Sequence, residues 1–345
     1  MYAMGMNGVP DGRPVTLADI AREAGMSAST ASRALSGRGY VSAEARDRLL
    51  AAADRLGYVP NASARTLKQR TSHVVGVVVS DLGNQFYARL AAGIEQTLRE
   101  AGFQVLLLGD NNEGAEELAG ARAFLAMRAP GVIMTPVGPE AAELLVAHGT
   151  AVVEVDRQLT QGICDAVVID NERSARDATR HLLDLGHRRV ALLVVATEWT
   201  SDAGRLRGYG RAHRDARVPV DDRLIVRIPL HAPDIERRIE GLLDEAAPTA
   251  IFAANNLLAE CAWRVLRARR LRLPRDISLV GFDDVSWMEM VEPGITVIAQ
   301  PTLEMGRRAA GLLLDRLADP EREPVVERLE TTFVVRGSTA PRRSD

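Results

Sequence analysis

Five short stretches of this 345-residue sequence concentrate the side chains that could hold or transform a small molecule. They are SDLGNQFY (80–87), DRQ (156–158), TEWTSDAGRLRGY (197–209), NN (255–256) and DDVSW (283–287). Together they supply carboxylates, amides, arginines and aromatic rings. That mix suits a polar, hydroxyl-rich ligand, which needs paired hydrogen bonds and a stacking face. Phe86, Tyr87, Asp156, Trp199, Ser201, Arg205, Asn255 and Asp283 are the candidate ligand-binding residues. Asp81, Asp156 and the Asp283–Asp284 pair could also act as paired carboxylates for glycoside hydrolysis. No GxGxxG follows a strand, however, and neither a Walker loop nor GxSxG is present. A sugar cleft can use carboxylates for hydroxyl groups without chemistry, so binding is the reading and no catalytic residue is assigned. The six histidines lack metal-ligand spacing such as HExxH, so no metal and no cofactor are expected.

These stretches need elements to position them. Each follows a short aliphatic run: VVGVVV (74–79), AVVEV (151–155), VALLVV (190–195), AIFAA (250–254) and ISLVGF (277–282). VLLL (105–108), VIM (132–134) and AVVI (166–169) complete a set of about eight. The runs are near-continuous rather than alternating, as expected of parallel strands buried on both faces. Amphipathic helical stretches lie between most of them, which predicts doubly wound α/β units. Ligands in such folds sit at the carboxyl ends of the strands. Eight strands over 72–340 predict two lobes, about 72–185 with 301–326, and about 186–300 with 327–340.

Residues 16–60 have a different texture. Thr16 is an N-cap with Asp19 in capping-box position, and Leu17, Ile20, Ala21 and Ala24 form an apolar face. Gly25 supplies a tight turn. Ser27 caps a second helix whose exposed side offers Ala28, Ser29, Ser32 and Arg33. Ser42 caps a third, with Ala45, Leu49, Leu50, Ala53 and Leu56 inward and Gly57 as its stop. Helix, glycine turn and capped second helix form the helix-turn-helix pattern, whose second helix enters the DNA major groove. Charge agrees. The chain carries a net −3, yet residues 1–70 hold ten Arg and Lys against six Asp and Glu, while the other 275 hold 33 against 40. A basic head on an acidic body suits a polyanion partner.

Hydrophobic content of 46% and charged content of 26% are those of a globular protein. No run approaches ~18 continuous apolar residues, and the N-terminus has no basic-then-apolar leader, so no membrane segment is expected. The two cysteines have no CxxC partner and are expected as free thiols in a reducing cytoplasm.

The stretch from Thr16 to Asn61, about 45 residues without an obvious gap, resembles the head of the LacI/GalR family of bacterial transcriptional regulators. HLLDLGHRRVALL, RLRGYG, ISLVGFDD, EPGITVIAQPTLEMGRRAAGLLL and VVRGSTAP extend the resemblance across the body. It implies an all-α helix-turn-helix head, a hinge helix (61–71) and a two-lobed, periplasmic-binding-protein-like α/β core, with residues 1–15 as a disordered tail. It also implies a cytoplasmic regulator, a repressor by default, that binds a near-palindromic double-stranded operator as a homodimer. Its affinity for DNA would be controlled by a small, carbohydrate-like effector between the lobes. Ser27 and Thr30 would meet phosphates, Ala28 and Ser29 would vary with operator sequence, and Arg33 would reach a base edge. Thr16, Ser32 and Tyr58 complete the expected DNA-facing set of the head. In the hinge, Asn61 would cap a helix formed only on DNA, Leu67 would wedge a base step in the minor groove, Lys68 would add a contact and Ala64 would let two hinges approach. Arg205 matches the family's ligand-gripping arginine, Asn255 the amide after its strand, Asp283 the first aspartate of GFDD, and Phe86 and Tyr87 the aromatic wall. Trp199 and Ser201 lie on the loop before Arg205.

Several positions depart from the family pattern. Ala31 stands for a valine, Asn84-Gln85 for Asn-Pro, Asn255-Asn256 for Asn-Asp, and DNERSA for DN-x-x-G-A. Arg173 in the last either points into the cleft, favouring an acidic effector, or stands exposed at a helix start. The tail TAPRRSD lacks leucine heptads, which implies a dimer rather than a tetramer.

Overall fold

Three capped helices make the N-terminal unit, in the part of the computed structural model that describes residues 13, 15–36, 39–58, 72–229 and 231–342. The chain divides into one unit ending at Arg70 and another starting at Thr71. The hinge residues Asn61, Ala64, Leu67 and Lys68, and most of the 1–15 tail, lie outside the described residues. In the first unit, α1 (Leu17–Glu23), α2 (Ala28–Ser36) and α3 (Ala43–Leu56) pack around Ile20, Ala31, Leu49 and Ala52. Asp19 reaches back to Thr16, accepting from its backbone N–H at 2.9 Å and its Oγ1 at 2.6 Å. Ser27 Oγ accepts from the Thr30 N–H at 3.1 Å, and Ser42 Oγ from Ala45 N–H at 3.3 Å. Gly25 and Gly57 take φ of 65° and 62°, the left-handed turns that glycine allows without strain. Leu50 differs from expectation. It is exposed, because helical spacing puts Leu49, Ala52 and Ala53 on the inner face and turns Leu50 away from it.

The second unit holds two six-stranded sheets. The first contains β1 (Val74–Val79), β2 (Gln104–Gly109), β3 (Gly131–Met134), β4 (Ala151–Val155), β5 (Asp165–Ile169) and β11 (Val326–Leu329), ordered β11-β5-β4-β3-β1-β2 and parallel throughout. The second contains β6 (Val190–Val195), β7 (Ile225–Ile228), β8 (Ala250–Ala253), β9 (Ser278–Phe282), β10 (Thr296–Ala299) and β12 (Thr332–Val334), ordered β12-β10-β9-β8-β6-β7. Only β12 runs antiparallel, beside β10. All eight aliphatic runs are strands. The four that no run marked are short, and β7, β11 and β12 are edge strands, where polar residues such as Glu327 and Arg328 are tolerated.

Helices cover both sheets. On the first lie α4 (Gln85–Glu100), α5 (Gly114–Ala126), α6 (Glu140–Ala147) and α12 (Thr302–Ala318); on the second, α7 (Asn171–Asp184), α8 (Thr200–Asp215), α9 (Ile235–Ala246), α10 (Asn256–Ala268) and α11 (Ser286–Met290). The lobe boundaries near Gly186 and Glu327 are displaced. Helix α7 packs on α8 in the second lobe, so the chain first crosses after Ile169, not at Gly186. β11 pairs with β5, so the last crossing follows Leu329. The crossing near Gln300 falls between β10 and α12. No helix among the described residues is long and apolar enough to cross a membrane. Cys164 is buried and Cys261 half-buried, both as free thiols.

Each lobe has one close helix crossing built on glycine. A methyl at Gly208 of α8 would collide with the Glu172 carbonyl oxygen on α7, and one at Gly204 would press on Asn171. Gly93 of α4 and Gly306 of α12 meet in the same way. The α7–α8 contact matters most for function, because α8 carries Arg205 and α7 carries Asn171. Gly208→Ala is expected to lose about 1–3 kcal/mol from overpacking. Gly241→Ala, within α9 and with open space around it, is expected to gain roughly 0.5–1 kcal/mol from helix propensity. Urea unfolding of the two variants checks the opposite signs.

Candidate functional site

The carboxyl ends of both sheets face one cleft. All eight candidate residues line it: Phe86, Tyr87, Asp156, Trp199, Ser201, Arg205, Asn255 and Asp283. Asp156 directly follows β4 and Asp283 directly follows β9, with φ of 72° and 70°. Left-handed backbone at a non-glycine residue carries strain and is held where the surroundings over-determine it. Here it aims one carboxylate from each lobe into the cleft.

Arg205 is 5% exposed and is anchored in its own lobe through Nε and Nη1. Its Nε donates to Asn171 Oδ1 at 2.9 Å and its Nη1 to the Ala254 carbonyl at 2.6 Å, with the guanidinium 3.8 Å over the Phe282 ring. Asp283 Oδ1 accepts from Gln300 Nε2 at 2.7 Å, and its Oδ2 from Asn256 Nδ2 at 2.8 Å. Burial raises the pKa of Asp283, and the charge of Arg205 opposes that rise. Asp202, whose Oδ2 accepts from Thr197 Oγ1 at 2.6 Å, is raised by burial and held down by Arg205 in the same way.

Asn255 caps α10, its Oδ1 accepting from the Leu258 N–H at 2.8 Å. The amide that meets the Asp283 carboxylate is therefore its neighbour, Asn256. Asp283 caps no helix. Phe86 and Tyr87 are buried in edge-to-face contact at 5.1 Å. Burial raises the Tyr87 pKa, so its hydroxyl stays neutral. Trp199 donates its Nε1–H to the Val137 carbonyl at 3.0 Å. One face of its ring is covered by the Arg157 guanidinium at 3.7 Å, which leaves less stacking surface than the sequence implied.

Arg157 is the residue that sequence reasoning passed over, although it stands beside Asp156 in DRQ. It is 2% exposed. Its Nη2 donates to Ser80 Oγ at 3.0 Å and Tyr87 Oη at 3.1 Å. Desolvation works against its charge, but its hydrogen bond to Tyr87 and the nearby carboxylates of Asp156 and Asp202 outweigh it and the pKa rises. Arg157 Nη1 and Gln300 Oε1 are buried without a hydrogen-bond partner among the described residues, while Arg157 Nε stands 3.6 Å from Asp156 Oδ2 in an ion pair. Gln300 was hidden because β10, which it follows, has no long aliphatic run. Glu154, the one charge within β4, accepts from the Leu159 and Thr160 N–H groups at 3.0 and 3.2 Å and so shapes the turn bearing Asp156 and Arg157. Arg173 lies outside the cleft, 68% exposed near Glu330.

On the head, Thr16, Ser27, Ala28, Ser29 and Arg33 are exposed. Thr30 and Ser32 are half-buried, and Tyr58 packs partly on the head's core. Ala31 is fully buried against Ile20 and Leu49, so the smaller residue still fills the inner face.

Known proteins share both halves. The signature described as "Bacterial regulatory proteins, lacI family" matches residues 16–61, and that of a periplasmic binding protein-like domain matches 179–339. The regulator CelR of Thermobifida fusca is 36% identical over 340 residues, spanning 94% of this chain and 98% of its own. The chain belongs to the LacI family of bacterial regulatory proteins. This LacI-family protein is a DNA-binding transcriptional regulator. DegA of Bacillus subtilis, also an HTH-type regulator, is 32% identical with the same coverage. The CelR–cellobiose complex superposes with a TM-score of 0.71 at 33% identity, covering 94% of this chain and all of that one. The lac repressor dimer bound to operator and the anti-inducer ONPF gives 0.83 at 26% identity, covering 95% and 100%. A LacI-family regulator from Enterococcus faecium with bound ribose gives 0.70 at 31%, covering 78% and 100%.

In the regulator's first lobe, burial pushes the Glu117 carboxyl up into the neutral range. Glu117 accepts from the Val137 and Gly138 N–H groups at 2.8 and 3.2 Å, shaping the turn that receives Trp199. Burial raises its pKa to about 7 from 4.5. A raised carboxyl contributes stability that is fully present below about 4.5 and lost as pH climbs through about 7. Wild type should therefore lose ground to Glu117→Gln between pH 5 and pH 8. Urea midpoints at the two pH values check this, and an equal gap at both would contradict it.

Proposed function

We propose that this regulator is a homodimeric repressor without catalytic activity, whose grip on a near-palindromic operator is set by a neutral, hydroxyl-rich effector of about one sugar ring between the lobes. The observation that carries this is the charge pattern of the cleft. Arg157 and Arg205 stand among Asp81, Asp156, Asp202 and Asp283, with amides from Asn84, Asn256 and Gln300. Carboxylates outnumber arginines, so an acidic ligand would meet repulsion, whereas hydroxyls can donate to the acids and accept from the arginines and amides. The exposed position of Arg173 removes the cation that would have favoured an acidic sugar. Arg157 lying on Trp199 narrows the space, favouring one ring over two. The sugars bound by the CelR and Enterococcus neighbours agree with the class.

In this reading Phe86, Tyr87, Asp156, Trp199, Ser201, Arg205, Asn255 and Asp283 contact or wall in the effector, joined by Arg157, Asn256 and Gln300. Arg33 reads a base edge, a bidentate pairing with guanine giving ~1–3 kcal/mol of discrimination. Ala28 and Ser29 are short, so DNA shape carries more of the specificity. Effector binding shifts the lobes between two geometries and so alters operator affinity.

A thermal-shift panel of neutral monosaccharides, disaccharides, uronic acids and sugar phosphates tests the class. A neutral monosaccharide should raise Tm, and Arg205→Ala should weaken its binding about 100-fold by calorimetry, since charged hydrogen bonds are worth ~1.5–3 kcal/mol each. Operator binding should persist in Arg205→Ala. A response confined to acidic sugars, or unchanged affinity in the variant, would contradict the assignment.

A further inference from the structure

At a second place along the cleft the lobes touch directly. Gln85 Nε2 donates to Ser286 Oγ at 2.7 Å, and Gln85 Oε1 accepts from the Ser286 backbone N–H at 2.7 Å. One side-chain amide thus makes a reciprocal pair, which fixes orientation as well as distance. One turn along the same helix face, Arg89 Nη1 donates to the Asp284 carbonyl at 3.3 Å. Beside them, Asn256 Nδ2 donates to Asn84 Oδ1 at 3.2 Å.

Both sides of this contact are firm. Gln85 opens α4, a 16-residue helix whose N-cap Asn84 accepts from the Phe86 N–H at 3.0 Å. Segment 283–286 is tied down at two points. The Asp284 carboxylate receives Arg336 Nη1 and Nη2 at 2.8 Å each, and the Asp283 N–H donates to the Ile298 carbonyl at 2.8 Å. A bond between two rigid bodies constrains their relative motion, which a bond between two loops does not.

The sequence points the same way. Position 85 is one where this chain departs from the family pattern, which has proline there. A proline side chain has neither donor nor acceptor, and an aspartate at position 256 could not donate to Asn84. The two departures, each at a helix start, therefore supply the Gln85–Ser286 and Asn256–Asn84 contacts between the lobes.

We propose that Gln85 and Ser286 form a clasp that biases the lobes of this regulator toward closure and so sets how readily the cleft opens, without touching the effector. The consequence for effector response rests on the proposed function above; the mechanical claim does not. The groups are uncharged, so the clasp is insensitive to salt and pH. Two hydrogen bonds at a solvent-exposed edge shift the opening equilibrium by about fivefold.

Amide hydrogen exchange on the full chain, with no ligand added, tests this in wild type, Gln85→Ala and Gln85→Pro. Position 85 is the first helical residue, where proline is favoured and the N–H has no intrahelical partner. Gln85→Pro therefore deletes the clasp and keeps the helix start. The reporter is the Gln158 amide, which donates to Thr200 Oγ1 at 3.2 Å across the cleft and far along the chain from the substitution. Its exchange should accelerate about fivefold in both variants. Acceleration confined to Ser286 would mean a purely local bond and overturn the proposal, as would no change at either amide. Acceleration spread equally through the cores of both lobes would mark general destabilisation and overturn it too.

Discussion

Charges held out of water must be paired, and that constraint organises this protein's core. Arg157 and Arg205 are almost completely buried, as are Asp156, Asp202 and Asp283. An isolated buried charge is very costly, so each needs hydrogen bonds or a counter-charge in fixed geometry. Arg205 finds Asn171, the Ala254 carbonyl and the Phe282 ring; Arg157 finds Ser80, Tyr87 and Trp199. These partners come from the ends of strands in both sheets, from α4, from α7 and from the loop before α8. The strand register, the glycine-based crossing of α7 on α8 and the left-handed aspartates all serve to bring them together. Arg157 Nη1 and Gln300 Oε1, which have no hydrogen-bond partner among the described residues, remain as capacity for a ligand.

The same economy makes the cleft a place where two rigid bodies meet. Within each lobe, parallel strands and close helix crossings leave little freedom. Between lobes the described contacts are few and mostly hydrogen bonds, among them Trp199 to Val137, Gln158 to Thr200, Arg89 to Asp284, Asn256 to Asn84 and the Gln85–Ser286 pair, with Arg157 stacked on Trp199. Such a division suits a two-state device, because small energies at the seam move large bodies.

Much of this was legible in the sequence, for definite reasons. The head was readable because its caps and glycines are local signals: Thr16 with Asp19, Ser27, Ser42, Gly25 and Gly57 act within a few residues. The eight aliphatic runs were readable because parallel strands buried on both faces leave no polar alternation. Asp283 was readable from its place just beyond β9, and Arg205, inside α8, from its match to the family's ligand-gripping arginine. What failed was non-local. Whether Asn255 or Asn256 faces Asp283 depends on which one caps α10. Gln300 was hidden behind a strand with no apolar run. The lobe to which α7 belongs is set by Gly204 and Gly208 on another helix, and no pattern within residues 171–184 announces it. Arg157 pairs with Trp199 across 42 positions of sequence.

The coupling between cleft and DNA is the step on which the protein's role as a controlled regulator depends. Fluorescence anisotropy of a selected palindromic operator duplex, titrated with the protein at fixed salt, measures it directly. A saturating amount of the sugar that raises Tm should change operator affinity by about tenfold or more in wild type, within the ordinary range of allosteric coupling, and should have no effect in Arg205→Ala. Equal operator affinity in wild type with and without that sugar would contradict effector control through this cleft.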